Sequence, residues 1–424
     1  MRIAFIVTYF PILSETFIVN QIVGLIERGH EVDIYSCYVG DTSKVHPNVE
    51  KYQLLDNTYY LPSAPENFLG RSLKGMGLLL SNAHKEPLRL LRSLNVFKHG
   101  KPAASLRLLY TAIPALGKKP YDIIHCQFGT LSNWGMWFRK INAPTAKLIV
   151  SFRGFDISQE IHQQGDRIYN RIFAEADFFL TNCEFFKQRL LKLGCDEKKL
   201  VVHYSGIDCN QFFYTPRLPT DGIQIATTGR LVEKKGIEYS IRAVAKIAKN
   251  YPNIEYKIIG DGPLTEELQQ LIQELNVANI VKLLGKKTSS EIIEILNTAH
   301  IFIAPSVTAS NGNQDAPINV LKEAMCLGLP VISTYHGGIP ELVQDGVTGF
   351  LVPERDADAL AQKLSYLIEH PEIWNSMAQA GRAYVEKYFD MHKLNSELVE
   401  IYQQLLNKDS FSQPLSRPVK FEPI

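Results

Sequence analysis

The chain has 424 residues, 45% of them hydrophobic and 21% charged; it is too long for one ordinary core, and its composition excludes a disordered or fibrous protein. Lys and Arg number 45 against 44 Asp and Glu, and the formal charge of +1 excludes a surface that coats nucleic acid all over. That neutrality is a cancellation, because between Leu69 and Lys119 ten basic residues face one acid, Glu86, and the remainder of the chain is mildly acidic.

In chain order, short β-branched runs alternate with helical stretches, the pattern of parallel sheets wrapped by helices. Strands are expected at 2–8, 31–36, 121–126, 147–152, 177–181 and 200–202. The clearest helix follows Ser14, with Phe17, Ile18, Ile22, Leu25 and Ile26 on one face, and ends at Arg28 and Gly29. Periodicity breaks at 211–222, where Pro216, Pro219, Asp221 and Gly222 predict a linker. The alternation then restarts with strands at 223–228, 254–260, 280–284, 301–304, 330–333 and 350–352, followed by helices at 356–369, 371–388 and 393–406. The expected organisation is an α/β protein with two Rossmann-like domains, 1–208 and 209–390. A C-terminal helix (391–408) and a loose tail (409–424) with Pro414, Pro418 and Pro423 complete it.

Six dispersed cysteines (Cys37, Cys126, Cys183, Cys195, Cys209, Cys326) show no metal-ligand spacing and read as reduced, buried thiols of a cytoplasmic protein. The apolar start at 1–7 is too short for a signal peptide, and no run reaches the roughly 18 apolar residues of a spanning helix.

Open parallel sheets bind ligands at the carboxyl ends of their strands, so the residues there carry the functional reading. After the first strand of the second half come Gly229, Arg230, Lys235 and Gly236: a planar fork and a point charge, both suited to phosphate oxygens, or alternatively a solvated basic loop. A polar loop, Asn311 to Asp315, leads through Ala316 to Pro317, which is expected at the first position of a helix so that the N–H groups of Ile318 and Asn319 face the cleft and can hold an anion. Asn319 and Glu323 share one helix face, and Asp315 precedes the helix. One acid could hold a ribose diol and the other a sugar hydroxyl, or the two could be a helix-start acid and an exposed helical acid. Further glycine-bearing strand ends are Gly260-Asp261-Gly262-Pro263, Gly285-Lys286 and Gly337-Gly338-Ile339-Pro340-Glu341.

Together these segments closely resemble family 4 of the retaining, nucleotide-sugar-dependent glycosyltransferases, which have the GT-B fold. The Gly-Arg-x4-Lys-Gly signature is intact, and the Glu-x7-Glu signature stands as Asp315-x7-Glu323. The resemblance implies that Arg230 and Lys235 bind the donor diphosphate, Glu323 the ribose and Asp315 the transferred sugar. The base would sit near Gly285 and Lys286. Neither metal nor other cofactor is implied, and Asp356-Ala357-Asp358 reads as an ordinary helix start. The first domain would hold the acceptor across the cleft through Ser14, Glu15 and Thr16, through His125 and Gln127, and through Arg153, Gly154 and Asp156. Many family members carry a histidine where Gln127 stands and another where Arg153 stands. Arg153 cannot serve as a base, but it could stabilise phosphate or position the sugar. The Arg-Gly-x-Asp form resembles a branch associated with exopolysaccharide and colanic-acid-type assembly. His125 reads equally as a cleft residue or as a satisfied core histidine.

Leucines at 78–80, 88, 90, 91 and 94, with Val96 and Phe97, interleave with the ten cations of 69–119. A basic amphipathic region suits an anionic membrane surface and a lipid-linked acceptor, which would place the protein at the inner face of the plasma membrane; the alternative is helices packed on the first domain that merely expose Lys and Arg. The leading expectation is a hexosyltransferase acting from a nucleoside-diphosphate sugar onto a glycan or lipid-linked acceptor. Alternatives are a nucleotide-sugar epimerase and a non-catalytic scaffold that binds nucleotide sugar at the membrane.

Overall fold

The computed structural model describes residues 1–12, 15–42, 45–220 and 222–407. The first unit is a seven-stranded parallel sheet of β1 (Arg2–Phe10), β2 (Glu31–Val39), β3 (Thr58–Tyr60), β4 (Ile123–Cys126), β5 (Lys147–Phe152), β6 (Phe178–Thr181) and β7 (Leu200–Val202), in the order β3-β2-β1-β4-β5-β6-β7. The second is a six-stranded parallel sheet of β8 (Ile223–Thr228), β9 (Ile254–Ile259), β10 (Val281–Leu283), β11 (Ile301–Ala304), β12 (Val331–Thr334) and β13 (Phe350–Val352), in the order β10-β9-β8-β11-β12-β13. Both are doubly wound, and their direction of winding reverses between β1 and β4 and between β8 and β11. Ligand crevices open at such points.

These strands form where they do because both faces are covered. β4 and β5 read Ile-Ile-His-Cys and Lys-Leu-Ile-Val-Ser-Phe, and every residue but Lys147 is buried. β1 and β2 run longer than their apolar patterns foretold, since their polar ends still pair as far as Phe10 with Val39. β3 lies in a three-residue Thr-Tyr-Tyr run that pairs with Ile34 to Ser36.

The segment 212–220 has no regular structure, yet it is anchored. Arg217 is buried and donates to the carbonyls of Asn297 (2.7 Å) and Leu327 (3.0 Å), at the C-terminal ends of two helices of the second unit. At the far end, the helix Met391–Asn407 packs on the helix Thr16–Ile26 of the first unit. Gly24 makes this contact possible, because a Cβ there would lie 1.9 Å from Asn395 Nδ2, which donates instead to Asn20 O. One apolar cluster runs without interruption from the first sheet into the helices Asn319–Cys326 and Trp374–Tyr388 of the second.

The basic region folds into short helices beside the first sheet. The longest, Phe68–Asn82, exposes Leu69, Leu73, Met76 and Leu80, a stripe at helical spacing that faces solvent, and the following segments expose Leu88, Leu91 and Phe97. Leu90 and Leu109 turn inward and hold the region to the body. Apolar side chains as well as charges are therefore left outside.

Candidate active site

The second sheet assembles its crevice from loops that follow β8, β9, β11 and β12. After β8 the chain passes Gly229 and Arg230 and enters the turn Glu233–Lys235. Lys235 Nζ donates to Asp315 Oδ2 at 2.8 Å, and Lys234 Nζ lies 2.9 Å from Asp315 Oδ1. Ser306 Oγ adds a third donor at 3.0 Å. Burial opposes ionisation of Asp315, but Lys235 and Lys234 outweigh it and hold the carboxyl well below the usual carboxylate range. Burial pulls Lys235 the other way, against the attraction of Asp315. Two ammonium groups share one carboxylate, so a positive charge remains uncompensated. Arg230 is exposed beside them and forms no ion pair or side-chain hydrogen bond among the described residues.

The Asp315 loop is fixed from behind. Its backbone N–H donates to His336 Nε2 (2.9 Å), His336 Nδ1 bonds Glu354 Oε1 (2.6 Å), and Glu354 Oε2 accepts from Thr308 N (2.7 Å). Gly337 follows with φ 51°, and a Cβ there would stand 2.1 Å from Asp315 O. Gly260 permits a second close approach, since its Cβ would meet Gly229 O at 1.8 Å. Asp261 spends Oδ1 on Gly262 N (2.8 Å) and Thr265 Oγ1 (3.1 Å), which makes it a turn residue. Gly285 accepts from Gly260 N at 3.0 Å, and Lys286 is exposed beside it.

The helix of this site is Asn319–Cys326, and its N-cap is Ile318, extended at φ −78° and ψ 139° with no side-chain cap. Pro317 therefore stands before the N-cap and not at the first helical position as expected. The unpaired donors belong to the first turn from Asn319 onward. Ala316 and Pro317 are buried under the loop. Glu323 sits one turn on from Asn319, without a hydrogen-bond partner among the described residues, and burial raises its pKa to about 7 against the attraction of Lys322. Lys322 is fully buried. It donates to Ser205 O (2.6 Å) in the first unit and to Asn319 Oδ1 (3.1 Å), and burial brings its pKa down to about 7.

Across the crevice, the buried Arg153 is held entirely by neutral acceptors. It donates to Gln127 Oε1 (2.7 Å), Gln21 Oε1 (3.1 Å), Gln127 O (3.2 Å) and Ser205 Oγ (3.2 Å), and its plane lies over the Phe17 ring at 4.5 Å. Burial lowers its pKa to about 10, which leaves it charged at neutral pH. Asp156 accepts from the N–H groups of Gly129 (2.8 Å), Arg153 and Gly154 (2.9 Å each), so it staples loops together. His125 is fully buried, with Nδ1 on Tyr402 Oη (2.6 Å) and Nε2 on Ser151 Oγ (2.7 Å); of its two readings the structure shows the core one, with neither nitrogen open to the crevice. Glu15, just before the helix that starts at Thr16, has a buried Oε2 without a partner. Burial pushes its pKa up to about 7 against the pull of Arg153 and Arg230. Ser14 lies outside the described residues.

The two sides touch directly. Asn313 Nδ2 donates to Gln159 Oε1 (3.0 Å), Gln314 N to Ser158 Oγ (3.2 Å), and Arg189 to Gln314 Oε1 (2.9 Å). Glu341 of the second unit caps the helix Glu184–Lys192 of the first, accepting from Glu184 N (2.7 Å) and Phe185 N (2.8 Å).

Residues 14–211 match the family described as glycosyltransferase family 4, and residues 211–384 match glycosyl transferases group 1. The amylovoran biosynthesis glycosyltransferase AmsK of Erwinia amylovora is 33% identical over 96% of this chain and 100% of its own length. The chain belongs to the family 4 glycosyltransferases. A second glycosyltransferase relative, the candidate colanic acid biosynthesis protein WcaL of Escherichia coli, is 32% identical over the same shares. The GT-B fold is shared with solved structures: Anabaena HepE in complex with UDP superposes with a TM-score of 0.68 at 19% identity, covering 95% of this chain and 100% of that one. Sucrose-phosphate synthase from Thermosynechococcus elongatus gives 0.70 at 19% identity, over 96% and 100%.

Within this glycosyltransferase, sequence reasoning singled out Arg230, Lys235, Asp315 and Glu323; the structure pairs Lys235 with Asp315, sets Arg230 close to Lys235, and places Glu323 one turn into the helix that follows the Asp315 loop. It passed over Lys234, His336, Glu354 and Lys322. Lys234 was visible as the lysine just before Lys235, whereas nothing local marks the other three. Asp315→Asn leaves two ammonium groups without their buried counter-charge and is expected to cost about 3–5 kcal/mol. The wild-type contribution is complete above the unfolded carboxyl pKa of about 3.9 and is lost as pH falls below it. Urea midpoints measured down the acid range should therefore fall more steeply for wild type than for the variant.

Proposed function

We propose that this glycosyltransferase moves a hexose from a nucleoside-diphosphate sugar to a glycan or lipid-linked acceptor in the assembly of a cell-surface polysaccharide. One observation carries the reading: Lys234 and Lys235 converge on Asp315, four residues before the uncapped N-terminus of Asn319–Cys326, with Arg230 near Lys235 and Glu323 one turn into that helix. A diphosphate needs such a set of donors, and the spare carboxylate suits the ribose diol. Support for the acceptor class comes from AmsK and WcaL, whose names place them in amylovoran and colanic acid biosynthesis. HepE has also been solved with UDP and glucose. Neither the epimerase nor the scaffold reading draws support from these relatives.

In this reading the acceptor hydroxyl attacks the anomeric carbon from the face that the leaving group departs. The C–O bond to phosphate breaks as the new glycosidic bond forms, and the acceptor proton passes to the departing phosphate oxygen, which retains the configuration. Arg230, Lys234, Lys235 and the helix N-terminus take up the charge that grows on the diphosphate, so the transfer proceeds without a divalent cation. Asp315 acts through the lysines, because its oxygens already carry three donors. Arg153 keeps a fixed positive charge on the acceptor side and positions the sugar or its phosphate.

The exposed stripe Leu69, Leu73, Met76 and Leu80, set among ten cations, docks the protein on an anionic membrane at the cytoplasmic face, where a lipid-linked acceptor is presented. Among the described residues no helix is long and apolar enough to cross a membrane.

A panel of nucleoside-diphosphate sugars with a lipid extract as acceptor, in the presence of a chelator, should yield glycosylated product and free nucleoside diphosphate. Arg230→Ala and Lys235→Ala should each lower kcat by roughly 100-fold or more with the fold intact. Full activity in both variants overturns the diphosphate assignment. Co-sedimentation with anionic vesicles should be strong at low salt and weaker at high salt, and Leu73→Glu combined with Leu80→Glu should abolish it. Equal recovery of wild type with neutral and anionic vesicles would contradict the membrane reading.

A further inference from the structure

A second crevice, of about 350 Å³, lies where the basic helices meet the body of the first domain. It sits by the C-terminal end of the helix Ser132–Asn142, whose N-terminal end follows β4, so it opens at the opposite end of the sheet from the donor crevice. Its size is at the small end of the roughly 300–1,000 Å³ typical of small-molecule sites.

The lining is rich in donors and holds no carboxylate. Lys98, His99, Arg139, Lys140 and Arg171 contribute to its walls. Three of them are ordered from behind: Arg139 pairs with Asp177 (2.8 Å), and Lys140 and Arg171 both pair with Glu175 (3.0 and 2.9 Å). Lys147 also leans on Asp177 at 3.5 Å, so these two carboxylates face four cations before Lys98 is counted. Lys98 forms no ion pair among the described residues. Trp137 Nε1 is buried without a hydrogen-bond partner, a donor that a native interior rarely leaves unmet. Arg107 lies over the Trp137 ring at 5.6 Å and adds a further positive charge to that wall. The remaining walls, Pro102, Leu108 and Pro144, are apolar.

We propose that this crevice is a binding site for a phosphorylated group, a phosphate monoester or diphosphate, separate from the donor site. Surplus cations select an anion with several acceptor oxygens, and Arg and Lys ordered by carboxylates are preorganised for phosphate. The apolar walls accommodate the carbon skeleton that the phosphate carries. Phe97, one residue from Lys98, is completely exposed, so the crevice opens beside the surface read above as facing the membrane. The phosphate can thus come from a lipid headgroup or from a soluble ligand. The crevice itself does not depend on the membrane reading.

The test uses inorganic pyrophosphate and the full-length protein carrying Arg230→Ala, which weakens the donor site. Calorimetry should retain one saturable pyrophosphate site, and the indole N–H resonance of Trp137, identified by Trp137→Phe, should shift on titration. Lys98→Ala combined with Arg171→Ala should weaken that site about tenfold or more, while the far-ultraviolet circular dichroism and melting temperature stay at the parent values. A second arm compares vesicles of phosphatidylcholine doped with phosphatidic acid. Loss of binding in both arms assigns the site to a lipid headgroup, and loss of pyrophosphate alone assigns it to a soluble phosphorylated ligand. Unchanged pyrophosphate binding in the double variant, or an unmoved Trp137 resonance, overturns the proposal. Wild type that ignores anionic vesicles but keeps the pyrophosphate site would sink only the membrane reading.

Discussion

Two lysine ammonium groups share one buried carboxylate in the second domain, and the geometry of the crevice that the loops after β8 and β11 form depends on that triad. Asp315 alone could not remain ionised under the loop; with Lys234 on one oxygen and Lys235 on the other it does so readily. The exchange is reciprocal, because the lysines lose most of their rotamer freedom and point into the crevice. An aspartate where the family pattern has glutamate keeps a short reach, and both its oxygens stay on the lysines. The surplus positive charge is what the proposed diphosphate would meet, and on the largely buried lysines each charge counts for more than on an open surface.

The same loop also joins the two domains. Residues Asn313 and Gln314 bond to Ser158, Gln159 and Arg189, Glu341 caps a helix of the first domain, and Lys322 donates to Ser205 O. Groups proposed to meet the donor and groups that join the two domains are therefore neighbours in one network. Arg153 belongs to it through Ser205 Oγ, so a buried guanidinium that stays charged at neutral pH is part of the same network. His125 has no part in this network, being tied instead to Tyr402 of the C-terminal helix.

Much of the fold was legible because buried parallel strands leave continuous apolar runs. Lys147–Phe152, Ile223–Thr228, Ile301–Ala304 and Phe350–Val352 form strands over the same residues that the runs predicted. Thr58–Tyr60 escaped because three residues carry no period. Pro317 was misplaced because its fixed φ suits a first helical turn, whereas the extended Ile318 delays the helix by two residues. The site was legible where chemistry is local, as in Arg230-x4-Lys235. It was illegible where partners lie far apart in sequence, as with His336 and Glu354 behind Asp315, or Glu341 beneath Glu184. The basic region announced its charge in the sequence, but only the structure shows that Leu69, Leu73, Met76 and Leu80 line up facing solvent.

Calorimetric titration with matched nucleoside diphosphates and monophosphates tests the central claim most directly. If the Asp315-held lysines and Arg230 grip the second phosphate, the cognate diphosphate binds about 100-fold more tightly than its monophosphate, roughly 2.7 kcal/mol. Equal affinities for the two would contradict the account, since the triad would then be holding the loop together without touching the donor.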